Sequence, residues 1–452
     1  MTTGVEARIA ARDVTVAVLG LGYVGLPLAV EFAESGFRVA GVDPDARKVD
    51  ALDAGQSYVG DVPSDRIAAL VASGRLRATT DYALLDPLPD VVFICVPTPY
   101  TSARVPDLSY IEVATRAIAD RLAPEQLIVL ESTTYPGTTE ELVQPLLEAT
   151  GLSAAADFYL AFSPERINPG DRHFGVHNTP KVVGGTRPAA SHLTKLLFEA
   201  ASPSGVFTVS SPRAAEMSKL LENTFRSVNI ALVNELALLS ERMDVDIWEV
   251  IDAAATKPFG FMRFTPGPGV GGHCIPVDPF YLGWKAREYD FYTRFIENAA
   301  AINDGMPFHL CDLVVEALNL AGKSVSGARV LVLGVAFKPD VDDYRNSPAR
   351  RLVELLRERR ADVRYHDPHV PRFPVAGHLF THASDDVEAL TSVPLTEQEL
   401  RASDVVVVVI GHTGIDYHWV AEQAPLVVDA INATHDFGGD RGKIIRLGAP
   451  RH

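Results

Sequence analysis

The chain has 452 residues, 47% of them hydrophobic and 22% charged, which is typical of a globular protein with two or three domains. Its formal net charge of -17 at pH 7 argues against nucleic acid or an anionic membrane surface as a partner. The three cysteines, Cys95, Cys274 and Cys311, are too few for a disulfide framework, and no apolar run reaches the roughly 20 residues of a membrane span. Because the N-terminal sequence has no features of a secretory signal, a reducing cytoplasm is the expected location.

The hydrophobic pattern divides the chain into three zones, each predicted to be a domain. Residues 1–205 alternate strands and helices, residues 206–320 are mainly helical, and residues 321–452 resume the alternation. Alternation of this kind predicts a parallel sheet with helices on both faces. The predicted fold class is therefore α/β, with two Rossmann-like doubly wound domains joined by a central helical domain that contains one long helix.

The first zone opens on a strand, a glycine-rich turn and a helix, predicted at residues 14–19, 20–25 and 27–35. The turn is a GxGxxG sequence in the position of a dinucleotide-binding loop, where glycines let the backbone approach a diphosphate at a helix N-terminus. Its predicted cofactor contacts are Gly20, Gly22, Tyr23, Val24 and Gly25. Asp43 follows the next strand, at residues 37–42, where a carboxylate binds ribose hydroxyls and repels a 2′-phosphate. NAD is therefore favoured over NADP.

Two later strands of this zone, at residues 91–96 and 127–131, precede polar loops. Residues 131–137 offer hydroxyl groups, and residues 163–166 offer a carboxylate and a guanidinium. Strand C-termini are where ligands bind in a doubly wound sheet. Ordinary turn chemistry explains the same residues, and from the residues alone this second interpretation is favoured.

A long helix begins the central zone. Residues 213–243 contain no glycine or proline, are densely apolar, and follow Pro212, which suits a helix start. A helix of about 30 residues is about 45 Å long, and a largely apolar helix of this length is typical of a subunit interface. We therefore predict a homodimer that forms through this helix. Further helix is predicted over residues 291–320, with a break or kink near Gly305 and Pro307.

Lys219 and Asn223 lie four residues apart in the long helix and therefore share a face. A lysine in such an apolar segment requires a partner. A functional site explains this lysine no better and no worse than a structural ion pair with Glu216 or Glu222.

Between the two helices lies a segment rich in glycine and proline, residues 257–279, which contains Cys274. Most free cysteines are small buried hydrophobic residues, and this is our interpretation of Cys95 in a strand and Cys311 in a helix. For Cys274 we favour a reactive thiol, because the flanking glycines let backbone amides approach a ligand and Asp278 follows four residues later.

The third zone is predicted to be a second Rossmann-like unit, although it contains no complete GxGxxG sequence. Its strands are predicted at residues 328–333, 362–366, 404–410 and 426–429, and its first helix at residues 348–359. Asn346 and Ser347 are the expected cap of that helix. Residues 371–394 are predicted to form a loop with one short helix.

Taken together, these residues resemble the UDP-glucose/GDP-mannose dehydrogenase family over nearly the whole chain. The matching motifs, in the family's order, are GLGYVGLPLA from Gly20, CVPTP from Cys95, ESTTYPGTT from Glu131, SPERINPG from Ser163, KLLENTFRSVNIALVNELA from Lys219, PGPGVGGHCIPVDPFYL from Pro266 and GVAFKPDVDDYRNSPA from Gly334. The resemblance implies an NAD-binding domain, a helical domain that forms the dimer, and a nucleotide-sugar domain. It also implies a four-electron oxidation of a nucleotide-linked hexose at C6, with two NAD used in turn.

The resemblance further implies how the reaction proceeds. Cys274 attacks the C6 aldehyde made by the first hydride transfer, which gives a thiohemiacetal and, after the second transfer, a thioester that water hydrolyses. Lys219 and Asn223 stabilise the oxyanion. The residues assigned to the hydrolytic water are Glu165 as general base, with Thr133 and Asp278 placing the water.

The remaining contacts are also implied by the resemblance. For the cofactor they are Asp43, Lys48, Pro97, Thr98, Thr133 and Arg345. For the substrate they are Glu165, Arg166, Lys219, Asn223, Phe264, Gly271 and Lys338. No metal ion is expected.

The beginning of the glycine-rich segment, Lys-Pro-Phe-Gly-Phe-Met at residues 257–262, is similar to the subgroup that acts on UDP-N-acetylhexosamines such as UDP-N-acetylglucosamine. Members of the family usually carry an arginine where this chain has Ile431, so a dTDP-linked or unacetylated glucose stays an alternative substrate. The alternative functions are a two-electron nucleotide-sugar enzyme, which needs no thiol, and a catalytically silent protein that binds NAD and a nucleotide sugar.

Overall fold

The computed structural model describes residues 4–85, 87–101, 105–166, 175, 177–272, 275–375 and 388–450. The chain forms two compact units, residues 1–222 and residues 223–452. Each unit contains a Rossmann-like sheet of mainly parallel strands, and long helices lie between the two sheets in the sequence. The predicted fold class is therefore confirmed.

The sheet of the first unit has eight strands. They are β1 (Thr15–Leu19), β2 (Arg38–Val42), β3 (Leu76–Thr79), β4 (Val91–Ile94), β5 (Leu127–Leu130), β6 (Tyr159–Phe162), β7 (Lys181–Gly185) and β8 (Val206–Thr208). The order across the sheet is β3-β2-β1-β4-β5-β6-β7-β8. Neighbouring strands run parallel, except that β7 runs antiparallel to β6. The four strands predicted in this zone are confirmed within two residues at each end.

Helices cover both faces of this sheet. They are α1 (Gly4–Ala10), α2 (Gly25–Glu34), α3 (Ala46–Asp53), α4 (Ser64–Ala72), α5 (Ser109–Ala119), α6 (Gln144–Glu148) and α7 (Pro188–Ala201). Side chains alternate between faces along a strand, so Val16 and Val18 of β1 pack with Phe32 in one hydrophobic cluster. Ala17 and Leu19 belong to a second cluster on the opposite face. Burial on both faces explains why the strands are near-continuous apolar runs.

The predicted long helix is confirmed as α8, Pro212–Met243, which has 32 residues. In the second unit, Val233 of α8 packs with Trp248 in a small cluster that fixes α9, Ile247–Ala255. The side chain of Asp246 caps α9 by accepting a hydrogen bond from the Trp248 N–H. Despite the length of α8, no helix in the described part of the chain is apolar enough over sufficient length to cross a membrane.

The next two helices are α10 (Asp278–Ala286) and α11 (Arg294–Leu320). The break predicted near Gly305 and Pro307 is wrong, because α11 continues through both residues, whereas the alternative of a kink stays a prediction. A proline inside a helix costs about 3 kcal/mol, whereas each fully buried Leu or Met side chain contributes about 1.5–3 kcal/mol. Met306 and Leu310 lie in the core of the second unit, so burial along this helix outweighs the missing hydrogen bond.

The second unit contains a five-stranded parallel sheet and a short antiparallel pair. The strands are β9 (Arg329–Leu333), β10 (Asp362–His366), β11 (Arg372–Pro374), β12 (Ala389–Thr391), β13 (Val405–Val408), β14 (Val427–Asp429) and β15 (Ile444–Arg446), and the helices are α12 (Pro348–Glu358), α13 (Glu397–Ala402) and α14 (Tyr417–Gln423). The order across the parallel sheet is β10-β9-β13-β14-β15. Ser347 caps α12 by accepting from the Ala349 N–H, as predicted.

The segment predicted as a loop with one short helix, residues 371–394, differs at its ends. There the structure has β11 and β12, which pair antiparallel. Residues 376–387 lie outside the described residues, so the short helix stays a prediction.

Candidate active site

The glycine-rich turn joins β1 to α2 at the carboxyl edge of the first sheet, next to β4. Gly20 has a φ of 93°, and a Cβ atom there would lie 2.6 Å from the carbonyl oxygen of Cys95. A Cβ atom on Gly25 would lie 1.9 Å from the carbonyl oxygen of Gly20, whereas one on Gly22 would have nothing within 4 Å. The outer glycines therefore allow the close packing of the turn, and the middle one leaves its face open to a diphosphate.

Asp43, just after β2, is fixed at the end of this turn. One carboxylate oxygen accepts the Leu21 N–H at 2.9 Å and the ammonium of Lys48 at 2.7 Å, and the other accepts the Asp45 N–H at 3.0 Å. The predicted contacts Tyr23 and Val24 lie in the turn itself, exposed and half-buried respectively. A carboxylate held beside an open glycine turn fits the diphosphate and ribose of NAD.

The loops after β4 and β5 are tied together at the same edge. The hydroxyl of Thr98 donates to the carbonyl oxygen of Thr133 at 2.7 Å. The hydroxyl of Ser132 donates to the carbonyl oxygen of Val96, also at 2.7 Å. Pro97 lies exposed between them. The structure therefore brings together three predicted cofactor contacts that are distant in sequence, at the strand ends beside the glycine turn.

Glu165 follows β6, and its carboxylate is held from two sides. One oxygen accepts the Arg166 N–H at 2.6 Å, and the other accepts the ammonium of Lys181 at 2.7 Å. Lys181 also donates to Glu131 at 3.1 Å. Sequence reasoning missed Lys181 because it opens a strand; it reaches this edge because β7 runs antiparallel to β6. The sequence does contain one indication of this residue, because Lys181 is a charged residue at the beginning of the apolar run Lys181-Val-Val.

All three residues of this group are buried, and the pKa values of Glu131 and Lys181 are shifted. Burial raises the pKa of Glu131 to about 7, with Lys181 opposing the rise and Glu165 adding to it. Burial alone would lower the pKa of Lys181, but the two carboxylates outweigh it and raise that pKa. Cys95, predicted as a core residue, is buried and donates its thiol to Glu131 at 3.5 Å.

Lys219 on α8 is buried and donates to the backbone carbonyl oxygen of Glu165 at 2.5 Å. Glu216, one proposed ion-pair partner, instead accepts from the N–H and hydroxyl of Thr139. Glu222, the other, forms an ion pair with the arginine that follows Glu165. Among the described contacts, Lys219 therefore forms an ion pair with neither Glu216 nor Glu222.

That arginine, Arg166, was predicted to contact substrate. Its guanidinium pairs with Glu222 at 2.8 Å and donates to the carbonyl oxygen of Pro180 at 2.7 Å. It links α8 to the segment that precedes β7. The described contacts therefore give Arg166 a structural role beside Glu165.

In the second unit, α8 touches the glycine-rich segment near both ends. The amide of Asn223 donates to the carboxylate of Asp278 at 2.5 Å, and both side chains are buried. Further along α8, the amide oxygen of Asn234 accepts the Gly267 N–H at 2.9 Å. Cys274 lies outside the described residues, so the reactive thiol stays a prediction.

The glycine-rich segment packs against the loop that follows β9. A Cβ atom on Gly271 would lie 2.9 Å from Phe337 and 2.9 Å from the carbonyl oxygen of Asn346. The amide of Asn346 donates to the carbonyl oxygen of Gly272 at 3.1 Å. Only glycines permit so close an approach between the two backbones.

That loop carries two predicted ligand contacts, Lys338 and Arg345. The guanidinium of Arg345 binds both carboxylate oxygens of Asp343, at 2.9 and 2.8 Å. Phe264, at the start of the glycine-rich segment, packs edge-on against Phe225 of α8 with ring centroids 5.9 Å apart. The glycine-rich segment thus contacts α8 through Phe264 and this loop through Gly271.

Three successive parts of the chain match the sequence models of one family. Residues 14–202 match the NAD binding domain of the UDP-glucose/GDP-mannose dehydrogenase family, residues 213–305 its central domain, and residues 331–436 its UDP binding domain. The chain belongs to this family.

Individual members are similar along most of the dehydrogenase. UDP-N-acetyl-D-mannosamine dehydrogenase of Pyrococcus horikoshii is 41% identical over 356 residues, which cover 78% of this chain and 84% of that protein. UDP-N-acetyl-D-glucosamine 6-dehydrogenase of Pseudomonas aeruginosa is 39% identical over 79% of this chain and 84% of its own. The solved structure of UDP-D-ManNAc dehydrogenase from Pyrococcus horikoshii superposes with a TM-score of 0.86 at 33% identity, covering 97% of this chain and 100% of that one.

Membership confirms several predictions at once. The dehydrogenase is an oxidoreductase of the nucleotide-sugar dehydrogenase family and its cofactor is NAD. Its nucleotide-sugar substrate is supported by the UDP binding domain. The similar proteins named above fall in the UDP-N-acetylhexosamine subgroup that residues 257–262 indicated.

The second unit of the dehydrogenase also brings Asp340, His369 and His412 together, with donor atoms within 4.8 Å of one another. His412 accepts the Asp340 N–H at 3.1 Å on one ring nitrogen and contacts Asp367 at 3.0 Å with the other. Burial alone would raise the pKa of Asp367, but hydrogen bonds from His412 and from backbone amides lower it to about 2. Both nitrogens of His412 are engaged by the protein, so the group is explained by the packing of its loops.

Proposed function

We propose that this dehydrogenase oxidises the C6 hydroxymethyl group of a UDP-N-acetylhexosamine to a carboxylate in two NAD-dependent steps. The observation that carries the proposal is the buried ammonium of Lys219, directed at the loop that contains Glu165, with Asn223 one helical turn further along α8. Two fixed hydrogen-bond donors of this kind suit the stabilisation of an oxyanion. The names of the similar proteins, which specify UDP-N-acetylmannosamine and UDP-N-acetylglucosamine, support an acetylated sugar.

NAD would be held by residues of the first unit. The open face around Gly22 receives the diphosphate, and Asp43, kept in place by Lys48, binds the ribose hydroxyls. Thr98 and Thr133, whose loops are joined, flank the path toward the reacting carbon. When bound, the nicotinamide supplies the hydride acceptor for both oxidations.

The proposal assigns the nucleophile to Cys274. After the first oxidation its thiolate adds to the C6 aldehyde, a C–S bond forms, and the carbonyl electron pair moves onto oxygen. The ammonium of Lys219 stabilises that charge, assisted by the second N–H of the Asn223 amide, whose first N–H is given to Asp278. Loss of hydride from the thiohemiacetal, with its hydroxyl proton released, gives a thioester.

Hydrolysis of the thioester is assigned to Glu165. Its carboxylate accepts a proton from water while the water oxygen bonds to the thioester carbon, and the C–S bond then breaks with the thiolate of Cys274 leaving. Thr133 and Asp278 are proposed to place this water. The product is the sugar carboxylate, and the thiolate is ready for another turnover.

The remaining predicted contacts are assigned to the substrate and to the cofactor. We propose that Arg166, Phe264, Gly271 and Lys338 contact the nucleotide sugar and that Arg345 lies on the cofactor side. Ile431 takes the place of the family's usual arginine, and its side chain packs closely over Gly411, where a Cβ atom would lie 2.9 Å away. This apolar contact is the observation that keeps a dTDP-linked sugar as the second candidate.

The proposal includes a homodimer formed through α8. The exposed apolar residues of its second-unit part are Phe225, Leu232, Leu236, Leu239 and Met243. Their spacing of three, four or seven residues places them on one face of the helix. A contiguous apolar face of this kind calls for a partner, and a second copy presents the same face.

The domain boundaries 1–205, 206–320 and 321–452 are supported by the three matched ranges, which fall inside them.

The experiment that tests the function is an NADH-release assay. The purified protein is given NAD with UDP-N-acetylglucosamine, UDP-N-acetylmannosamine, UDP-N-acetylgalactosamine, UDP-glucose, GDP-mannose and dTDP-glucose in turn. We expect two NADH per sugar with an acetylated UDP-sugar. One NADH per sugar would favour a two-electron enzyme, and none with any sugar would favour a silent binding protein.

The thiol is tested by Cys274→Ala, with Cys311→Ala in α11 as the matched control. The first variant should form no carboxylate, because no thioester can form, whereas the second should keep full turnover. Unchanged carboxylate formation by Cys274→Ala would reject the covalent mechanism.

A further inference from the structure

A lysine and two glutamates form a buried charge cluster at the carboxyl edge of the first sheet. Lys181 lies between Glu131 and Glu165, with its ammonium 3.1 Å from the first carboxylate and 2.7 Å from the second. The exposed fractions of the three residues are 3%, 1% and 7%. The proposed mechanism uses Glu165 alone, so the cluster Glu131–Lys181–Glu165 holds two ionisable groups with no assigned task.

Stability gives no sufficient reason for this cluster. Burying charges costs several kcal/mol each, and apolar residues of similar volume often replace a buried ion pair without loss. Lys181 is followed in β7 by Val182 and Val183, both buried, and its ammonium lies 5.2 Å from the ring centre of Phe198. An apolar residue at position 181 would continue this surface, so the charge calls for a functional explanation.

The two ends of Glu165 are held by two different lysines. Its carboxylate is bound by Lys181, and its backbone carbonyl oxygen is bound by Lys219 at 2.5 Å. A shift of the carboxylate would therefore move the attachment point of Lys219, the residue proposed to stabilise the oxyanion. Glu131 competes with Glu165 for the same ammonium.

We propose that Lys181 is a positioning residue that keeps the Glu165 carboxylate ionised and aimed, and that Glu131 sets how much of the lysine's charge Glu165 receives. This inference rests on the proposed role of Glu165 as the base for hydrolysis. It assigns to Lys181 and Glu131 a part in the reaction although neither touches substrate or cofactor.

The two neighbours of Glu165 differ in what their removal does to its charge. In the described part of the chain, the charged and titratable groups around Glu165 include Lys181 on β7, Glu131 after β5, Cys95 after β4, Lys219 and Glu222 on α8, and Arg166 next in the chain. Removing the ammonium of Lys181 leaves two buried carboxylates facing each other, which favours the protonated form of Glu165. Glu131 holds a proton below its raised pKa of about 7, so Glu131→Gln leaves the charge that faces Glu165 nearly unchanged below that pH and gives Glu165 the whole ammonium above it.

The test is the pH dependence of turnover in Lys181→Met and Glu131→Gln. The acidic limb of the profile reports ionisation of the base, so it should move to higher pH by about one unit or more in Lys181→Met. It should stay in place in Glu131→Gln, because the neutral amide replaces a carboxyl group that is protonated over that pH range. At neutral pH, turnover of Lys181→Met should fall about 100-fold. Lys181→Arg, which keeps the charge, should leave the limb in place, and Lys195→Met on the solvent-facing side of α7 is the matched control for the substitution itself.

A second measurement locates the affected step. Each variant is mixed with NAD and the preferred sugar, quenched, and weighed intact by mass spectrometry. Slow hydrolysis in Lys181→Met should leave the sugar acyl group on the protein, whereas the wild type and Lys195→Met should carry none. The affinity for NAD, measured by fluorescence titration, should be the same in all of them.

The inference fails alone if the wild type releases two NADH per sugar while Lys181→Met keeps the wild-type profile, or if both variants shift the limb in the same direction. A wild type that releases no NADH would instead reject the proposed function. If Lys181→Met does not fold, as judged by circular dichroism, Glu131→Gln and Lys181→Arg decide: a limb displaced upward in either variant overturns the inference.

Discussion

The amide oxygen of Asn234 accepts a hydrogen bond of 2.9 Å from the backbone N–H of Gly267, which joins the middle of α8 to the start of the glycine-rich segment. The same amide donates to Asn303 of α11 at 2.9 Å, and Asn303 donates to the carbonyl oxygen of Ser227 at 3.2 Å. All of these groups are at least largely buried. Two helices therefore fix the point from which the chain runs toward Cys274.

We expect Asn234→Leu to destabilise the protein and to slow turnover. The substitution leaves the Gly267 N–H and the Asn303 amide without their partner, and each buried unsatisfied group costs about 1–3 kcal/mol. The midpoint of urea unfolding and the rate of NADH release measure the two effects. Asn229→Leu is the control, because Asn229 is only half-buried and bonds only within its own helix among the described contacts, to Phe225. Equal midpoints for the two variants would contradict the assigned role of Asn234.

We expect Lys219→Met to lower turnover by about 100- to 1000-fold, the usual effect of removing one oxyanion donor. The affinity for NAD should not change, because the contacts proposed for the cofactor come from other residues. Stopped-flow NADH release measures the first effect and fluorescence titration the second. Lys195→Met serves as the control. A loss confined to the Michaelis constant, with turnover intact, would show that Lys219 binds substrate without acting on the oxyanion.

Some features of this structure follow from chemistry that is local in the sequence. The turn at Gly20 needs a positive φ, and a glycine there directly after an apolar run is visible without coordinates. The long helix could be predicted because residues 213–243 contain no glycine and no proline, the two residue types that commonly end helices. The strands could be predicted because burial on both faces of the sheet leaves nearly continuous apolar runs.

Other features depend on contacts that no local pattern contains. Lys181 meets Glu165 only because β7 reverses direction relative to β6, and strand direction is decided by the whole sheet. The link from Asn234 to Gly267 spans 33 residues. Helix α11 continues through Pro307 because its side chains are buried in a core built from distant segments. Each of these was missed or wrongly predicted for that reason.

We expect Asp43→Asn to weaken NAD binding by about 10- to 100-fold, which corresponds to about 1.5–3 kcal/mol for hydrogen bonds to a charged group. Discrimination against NADP should fall as well, because the charge that repels a 2′-phosphate is gone while the ammonium of Lys48 remains. The Michaelis constant for NAD measures the first effect, and its ratio to the constant for NADP measures the second. Asp45→Asn, two residues away at the N-cap of α3, is the matched control. Unchanged constants in Asp43→Asn would remove Asp43 from the proposed cofactor contacts.

We expect Glu131→Gln to flatten the pH dependence of stability between pH 4.5 and about 7. Burial raises the pKa of Glu131 from 4.5 to about 7 against the opposing charge of Lys181, so in this window the folded protein holds a proton that the unfolded chain has released. The stability that depends on this proton is complete below pH 4.5 and falls as the pH rises to about 7, by about 3 kcal/mol in all. Midpoints of urea unfolding across this range should therefore decline more steeply in the wild type than in Glu131→Gln. The control Glu199→Gln, at an exposed position of α7, should follow the wild type. Parallel curves for all three proteins would mean that Glu131 is ionised throughout, and that Lys181 balances two full charges.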